Sequence, residues 1–217
     1  HLGMSGRLLI FRENLNIFSD LAHFNFETYK SEKHDHVILH LDGGLKLIYN
    51  DPRRFGAMDL YETMKIRDHK WLVALGPEPM SKGCSTEFLH RRLKIGKRTI
   101  KAALLDQKLI AGLGNIYVLE SLWKAGISPE RLTKNISREK VDKLIFCIRE
   151  VLREAIMLGG TSLQDFRKVG GDLGYFQNKL KVYGRGGKKC LKANCFGEIQ
   201  SVKQNGRISY YCNSCQK

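Results

Sequence analysis

The 217-residue chain carries 37 Lys and Arg against 22 Asp and Glu, a formal net charge of +15 with a sequence pI near 9.6. Hydrophobic residues make up 42% and there are only 4 Pro, which excludes a disordered basic arm and leaves chain enough for one large domain or two small ones with a real core. No apolar run reaches the length of a membrane span, so the charge points to a polyanionic partner met in water.

In chain order, Met4 to Phe11 (MSGRLLIF) reads as a strand following Gly3. His36–Leu41 (HVILHL) and Leu45–Tyr49 (LKLIY) alternate apolar and polar residues about Asp42-Gly43-Gly44, which predicts a hairpin. Between these strands the sequence predicts only a connection ending in the polar run SEKHDH. The proline-bounded turn Asp51–Gly56 (DPRRFG) comes next, then MDLYE (Met58–Glu62) as a further strand. The first eighty residues are thus predicted to be mainly β, half of a sandwich or barrel, with Gly76-Pro77-Glu78-Pro79 as a linker.

The second half is predicted to be helical. Thr86–Lys94 and Thr99–Gln107 are short helices with basic faces. Asn115 caps a helix to about Lys124, with Ile116, Leu119, Leu122 and Trp123 on its apolar side; Gly126 ends it and Pro129 follows. Ser137 opens a longer helix whose Val141, Leu144, Ile145, Ile148, Leu152, Ala155 and Ile156 keep helical spacing as far as Gly159-Gly160. Cys147 lies in that stripe as a small core residue. A Gly-rich loop, Val169–Phe176, precedes a basic tail.

The tail is the most specific stretch. Cys190 and Cys195 enclose LKAN, sixteen residues follow, and Cys212 and Cys215 enclose NS. Each close pair can supply two thiolates from one turn, the requirement of a tetrahedral zinc site; two disulfides or four free thiols are the alternatives. From Lys179 to Lys217 there are nine Lys or Arg against the single acid Glu198, so the ribbon stays basic even when four thiolates hold a divalent ion. That balance favours nucleic acid over a merely solvated face, which normally mixes both signs.

Two further constellations fit a nucleic-acid partner. In KLIAGLGN (Lys108–Asn115), Gly112 and Gly114 permit close backbone approach, and the helix that follows exposes unpaired amides able to seat a phosphate. A helical hairpin packed for stability has the same sequence, but the basic helix before it (Lys94, Lys97, Arg98, Lys101) favours the phosphate reading. Arg53, Arg54 and Phe55 suit an aromatic wedge flanked by phosphate-holding guanidiniums, although taken alone the turn favours a buried strand-start Phe beside two solvated arginines.

Taken together, HLGMSG, KHDHV, DPRRFG, LGPEP, the Lys108–Pro129 run, GGTSLQDF, GYFQ…VYGR and GRISYYCNSCQK occur in one order, and across essentially the whole chain they resemble formamidopyrimidine-DNA glycosylase, the bacterial base-excision enzyme for oxidised purines. The resemblance implies an α+β multidomain fold: a partial N-terminal β-sandwich over 1–79, a helix–two-turns–helix domain over 80–178 and a C-terminal zinc-ribbon finger over 179–217. Met4, Arg53 and Phe55 match the family's void-filling triad, with Arg53 facing an orphaned cytosine. For Met4, simple strand packing is the alternative. His34, Arg53 and Arg54 match DNA contacts; Lys101 and Asn115 match the phosphate clamp, with Lys97 beside them. Val169–Phe176, with Gly171, Gly174, Tyr175 and Phe176, matches the loop over the flipped purine. Arg207 matches the proton donor in δ-elimination, and Cys190, Cys195, Cys212 and Cys215 match the ligands of one structural zinc ion.

The family's nucleophile is an N-terminal proline, assisted by an adjacent glutamate and a lysine, and all three would precede HLGMSG. The chain starts at His1, with its first Met at position 4, so a fragment beginning mid-domain is the expectation. Such a chain would keep affinity for duplex DNA holding oxidised purines or abasic sites, but not the activity. A monomer with no membrane association, in the bacterial cytoplasm and associated with the nucleoid, completes the expectation. Two rivals are an endonuclease VIII-like pyrimidine glycosylase and a non-catalytic damaged-DNA-binding protein. A generic zinc-ribbon factor leaves the ordered β and helical motifs unexplained.

Overall fold

The computed structural model describes residues 1–12, 33–161 and 175–217. They form two compact units, His1–Leu60 with Met157–Asn178, and Tyr61–Ile156 with Lys179–Lys217.

The first unit is built on an antiparallel sheet of order β1-β3-β2: β1 (Arg7–Arg12), β2 (Asp35–Leu41) and β3 (Leu45–Asn50). The predicted hairpin is β2–β3, closed through Asp42–Gly44, where Gly43 and Gly44 take φ of 73° and 72°. β3 is central, and its last three residues, Ile48, Tyr49 and Asn50, are buried. β1 begins later than predicted. Met4 lies in a turn, because Gly3 at φ 63° reverses the chain and Gly6 N–H closes onto Leu2 O at 2.8 Å. MDLYE is not a strand: among the described residues Met58–Glu62 pairs with neither sheet, Leu60 is 94% exposed, and a 3-10 turn follows from Thr63 to Asp68. Alternation alone does not make a strand without a neighbouring edge to pair with.

The second unit holds four helices and the tail. α1 (Thr86–Lys94) starts where the Ser85 hydroxyl accepts from Phe88 N, and α2 (Ile100–Leu104) starts at Thr99 in the same way. α2 stops short of Gln107 because Asp106 turns outward, accepting from Arg98 at 2.8 Å and from Lys108 N at 3.0 Å. α3 (Asn115–Ala125) ends at Gly126, left-handed at φ 76°, and α4 (Arg138–Met157) is the long helix predicted. Gly114, rather than Asn115, is the N-cap of α3. One apolar cluster ties the helices together, with Leu89, Leu93, Ile100, Leu104, Val118, Leu122, Leu144 and Ile148 among its members. Val151 replaces Ile156 in the buried stripe of α4; Ile156 is 70% exposed at the helix end.

Gly76–Pro79 is not a free linker. Gly76 N–H donates to Gln107 O at 2.8 Å, Ala111 N–H donates to Pro77 O at 3.2 Å, and the Arg149 guanidinium gathers the carbonyls of Pro79, Ser81 and Cys84. A Cβ on Gly76 would sit 2.5 Å from Leu109 O, so only glycine lets the segment lie this close.

The tail folds as an antiparallel pair, β4 (Ile199–Gln204) and β5 (Arg207–Cys212), joined by Asn205-Gly206 with both φ positive, at 50° and 74°. A two-residue loop of that kind matches the twist of the strands it joins. The ribbon is continuous with the helical unit. Val182, Cys190, Ile199 and Cys212 pack with Leu119 of α3, joined by Trp123 and Tyr210. Among the described residues no helix is long and apolar enough to cross a membrane.

Candidate nucleic-acid interface and metal centre

In the first unit one buried carboxylate organises the DPRRFG turn. Asp51, 1% exposed, accepts from the Ser5 hydroxyl at 2.5 Å, Gly56 N–H at 2.8 Å and the Tyr49 hydroxyl at 3.2 Å. Ser5 in turn accepts from Arg53 N–H at 3.1 Å, and the His36 ring meets Asp51 O at 2.9 Å. The 1–6 turn rests on this one: a Cβ on Gly3 would lie 2.6 Å from the Phe55 carbonyl carbon, and His1 and Ala57 exchange backbone hydrogen bonds. Met4 and Phe55 are thereby presented on adjacent turns, 51% and 59% exposed, with the Arg53 guanidinium 5.1 Å from the Phe55 ring centre. Arg54, exposed, holds φ at 56°, a strained conformation for a residue with a side chain. His34 is half-buried, and its carbonyl accepts from Asp51 N–H at 3.0 Å. Met4, Arg53, Arg54, Phe55 and His34, which the resemblance matches to DNA-facing positions, lie on these turns or are bonded to them, whereas Asp51 and Ser5, the pair that sets the turn, carry no such match.

The Ser5 hydrogen bond, outweighing burial, lowers the Asp51 carboxyl to about 2 from its ordinary 3.8. A depressed carboxylate stabilises the fold above its unfolded value and ceases to do so as pH falls through the folded one, here between about pH 4 and 2. The difference corresponds to about 2 kcal/mol. Asp51→Asn is expected to lose that amount in urea unfolding at pH 7 and to flatten the acid limb of the stability curve. An unchanged acid limb would show that another carboxylate sets it.

In the second unit the tip of the ribbon is fastened to the helices by two side chains that the sequence placed in a phosphate clamp. Lys101, on α2, is 1% exposed rather than part of a basic face, and its Nζ donates to Ser209 Oγ at 2.6 Å. Ser209 passes the bond on to Gln204 Oε1 at 2.5 Å, across the β4–β5 pair. Burial, followed by the Arg207 charge, draws the Lys101 ammonium down to about 8. Asn115, at the start of α3, donates from Nδ2 to Ile208 O at 3.2 Å. Both residues thus hold the strand that carries exposed Arg207. The glycine turn before α3 is braced by Gln107, which accepts from Gly112 N–H at 2.7 Å and donates to Leu113 O at 3.1 Å. A Cβ on Gly112 or Gly114 would meet no atom within 4 Å, so the turn is open to a partner. Lys97 is exposed.

Tyr175 is 63% exposed, whereas Phe176 is 3% exposed and anchored by its N–H to Gly160 O at 3.1 Å, so it closes the base of its segment. Gly171 and Gly174 lie outside the described residues.

The four ribbon cysteines converge, with all Sγ atoms within 4.8 Å of one another. Cys190 and Cys215 are 3.8 Å apart and Cys195 and Cys212 3.6 Å. Sulfurs about 2.3 Å from a central tetrahedral ion are separated by about 3.8 Å, so the donor set fits a metal and is too widely spaced for disulfides. Burial opposes ionisation of Cys212, but the amides of Cys215 and Ser214 and neighbouring thiols bring it to about 7.

Glu120 escaped the sequence reading. It is a 4% exposed acid on α3 whose oxygens accept from the N–H groups of Lys181, Val182 and Tyr183 at 2.9, 3.0 and 2.9 Å. Its only sequence signal is an acid between Leu119 and Leu122 on a helix otherwise apolar there. At the far end, Gln216 links Cys212 N to Ile127 O, with both bonds at 2.8 Å.

A β unit with an Arg–Phe turn, a helical unit with a glycine-rich turn, and a basic ribbon whose four clustered cysteines could hold a metal ion are the parts of a DNA-binding protein. The N-terminal domain of formamidopyrimidine-DNA glycosylase matches residues 1–58, and the H2TH domain of the same enzyme matches residues 75–167. The chain belongs to the formamidopyrimidine-DNA glycosylase family. A formamidopyrimidine-DNA glycosylase of Ruegeria sp. (strain TM1040) is 50% identical over 218 residues, covering 100% of this chain and 75% of that protein. Among solved structures, a Lactococcus lactis Fpg variant bound to DNA containing Fapy-dG superposes with a TM-score of 0.84 at 35% identity, over 100% of this chain and 73% of the other. The Lactococcus lactis Fpg complex with abasic-site DNA gives 0.83 at 35%, with the same coverage.

Proposed function

We propose that this chain recognises duplex DNA at oxidised purines and abasic sites, in the excision of 8-oxoguanine and formamidopyrimidines and the nicking of the abasic site that follows. The observation that carries this reading is the Met4–Arg53–Phe55 arrangement, an exposed wedge held rigid by Asp51. Its Lactococcus lactis relatives were solved with Fapy-dG and abasic-site DNA. Met4 and Arg53 fill the space of the flipped base, Phe55 stands beside the orphaned partner, and His34 and Arg54 hold phosphates. The glycine turn before α3, with Asn115 and Lys97, seats the backbone of the damaged nucleotide, while Lys101 acts at one remove by holding the ribbon. Arg207 donates the proton of the δ-elimination step. The segment ending at Tyr175 and Phe176, with Gly171 and Gly174, covers the flipped purine. One zinc ion on Cys190, Cys195, Cys212 and Cys215 stiffens the ribbon. The working form is a monomer acting at the bacterial nucleoid, in the cytoplasm.

A polypeptide of these 217 residues alone is expected to bind such DNA without cleaving it. Fluorescence anisotropy should show tighter binding to duplexes with an abasic analogue or 8-oxoguanine opposite cytosine than to intact duplex. Binding should weaken as salt rises. Borohydride should trap no covalent adduct. A trapped adduct would overturn the claim of inactivity, and stronger binding to thymine glycol than to 8-oxoguanine would favour the endonuclease VIII type instead.

A further inference from the structure

Helix α3 reaches the thiolate cluster directly. The indole Nε1–H of Trp123 donates to Cys190 Sγ at 3.3 Å. The Lys192 ammonium lies 5.9 Å from the Trp123 ring centre and 3.5 Å from the Trp123 carbonyl oxygen, bracketing the same side chain. Leu119, one turn earlier on α3, is 0% exposed within the cluster that holds Cys190 and Cys212. The half-buried indole N–H thus has the sulfur as its hydrogen-bond partner, and a desolvated N–H without a partner is costly.

We propose that Trp123 is an outer-sphere partner of the metal: its N–H binds the Cys190 sulfur and makes α3 part of the metal centre. This rests on the zinc reading above. Four thiolates around one divalent ion leave a formal charge of minus two, and donors to sulfur spread that charge. Groups hydrogen-bonded to metal ligands orient them and commonly change affinity by about 10- to 100-fold. The amides of Ser214 and Cys215 serve Cys212 in this way, from within its own knuckle. Trp123 differs because it comes from another element, 67 residues away in sequence. Metal binding and the seating of the ribbon on α3 are then one linked event.

The contact separates from simple packing by removing the N–H while keeping an aromatic ring. Trp123→Phe is expected to bind zinc about tenfold more weakly than wild type in competition with a chromophoric chelator. Its helical far-ultraviolet signal should remain. Equal affinity in a folded Trp123→Phe overturns the proposal and leaves packing as the role of the ring. Should that variant not fold, the wild-type protein loaded with NMR-active cadmium decides: scalar coupling between the indole proton and cadmium through the sulfur supports the bond, and its absence overturns it. A wild-type protein that takes up no metal fails at the earlier step, overturning the zinc reading and the proposal with it.

Discussion

Stripping the metal from the four-cysteine cluster, or replacing Cys212 by Ser, is expected to unfold the β4–β5 ribbon while helices α1 to α4 stay folded. The two halves of this expectation rest on separate apolar clusters. The helical cluster, built on residues such as Leu89, Leu104, Leu122 and Ile148, contains no ribbon residue. The ribbon cluster has only five buried members, Leu119, Val182, Cys190, Ile199 and Cys212, two of which belong to the four-cysteine group. Burying about five such side chains contributes on the order of 10 kcal/mol before chain entropy, and fixing some forty residues costs more than that. Metal coordination, worth about 10 to 16 kcal/mol in small zinc modules, supplies the difference. On the function proposed above, loss of the ribbon takes Arg207 and the basic tail away from the DNA, so affinity for an abasic duplex should fall about 100-fold or more, with a shallower salt dependence. Of the two tryptophans, Trp123 should become more exposed and red-shifted, which a Trp71→Phe background isolates. Ribbon amide signals that keep their dispersion after chelation would show that the tail folds without metal.

Local chemistry made the helical unit and the knuckles readable. Ser85 and Thr99 cap the helices they precede, Gly126 ends α3, and the apolar spacing of α4 predicted all but the end of its buried stripe. Cys190, Cys195, Cys212 and Cys215 were readable because two residues per turn is a local requirement. What escaped was decided by partners far along the chain. Lys101 has the sequence context of an exposed clamp residue, yet its partner Ser209 is 108 positions away and takes it into the interior. Gly76–Pro79 has the composition of a linker, and nothing local announces that Gln107, Ala111 and Arg149 bind its backbone. Met58–Glu62 alternates like a strand, but pairing depends on an edge that the segment does not contain. Asp51 was read as part of a turn, while its role as acceptor for Ser5 depends on a residue 46 positions earlier. Asn205-Gly206 is the opposite case, a local hairpin signal that the sequence carries by itself, with both φ positive.

Glu120→Ala is expected to be the most damaging substitution outside the cysteines, lowering the stability of the helix-and-ribbon unit by about 4 kcal/mol. The carboxylate accepts from three consecutive amides at the point where the chain enters the ribbon: Oε2 takes Lys181 N–H, and Oε1 takes those of Val182 and Tyr183. Truncation takes the acceptor from these donors, of which the Val182 amide is buried and those of Lys181 and Tyr183 part-buried, and each unsatisfied buried amide costs about 1 to 3 kcal/mol. Burial raises the Glu120 carboxyl above its ordinary value although the three amides pull the other way, so the group sits in a desolvated place for the sake of those bonds. Glu120→Gln separates geometry from charge. The amide oxygen can keep Val182 and Tyr183, while its nitrogen faces the Lys181 N–H, so one bond is lost rather than three. The order wild type, Gln, Ala in thermal unfolding follows, with Ala lower than wild type by roughly 10 °C for a unit of this size. The effect should reach the DNA as well, since the strand that holds Arg207 pairs with β4 beyond the anchored segment. Glu120→Ala is therefore expected to weaken abasic-duplex binding even at temperatures where the helices remain folded. Equal stability of the Gln and Ala variants would show that the carboxylate's charge, rather than its three amide contacts, is what the fold requires.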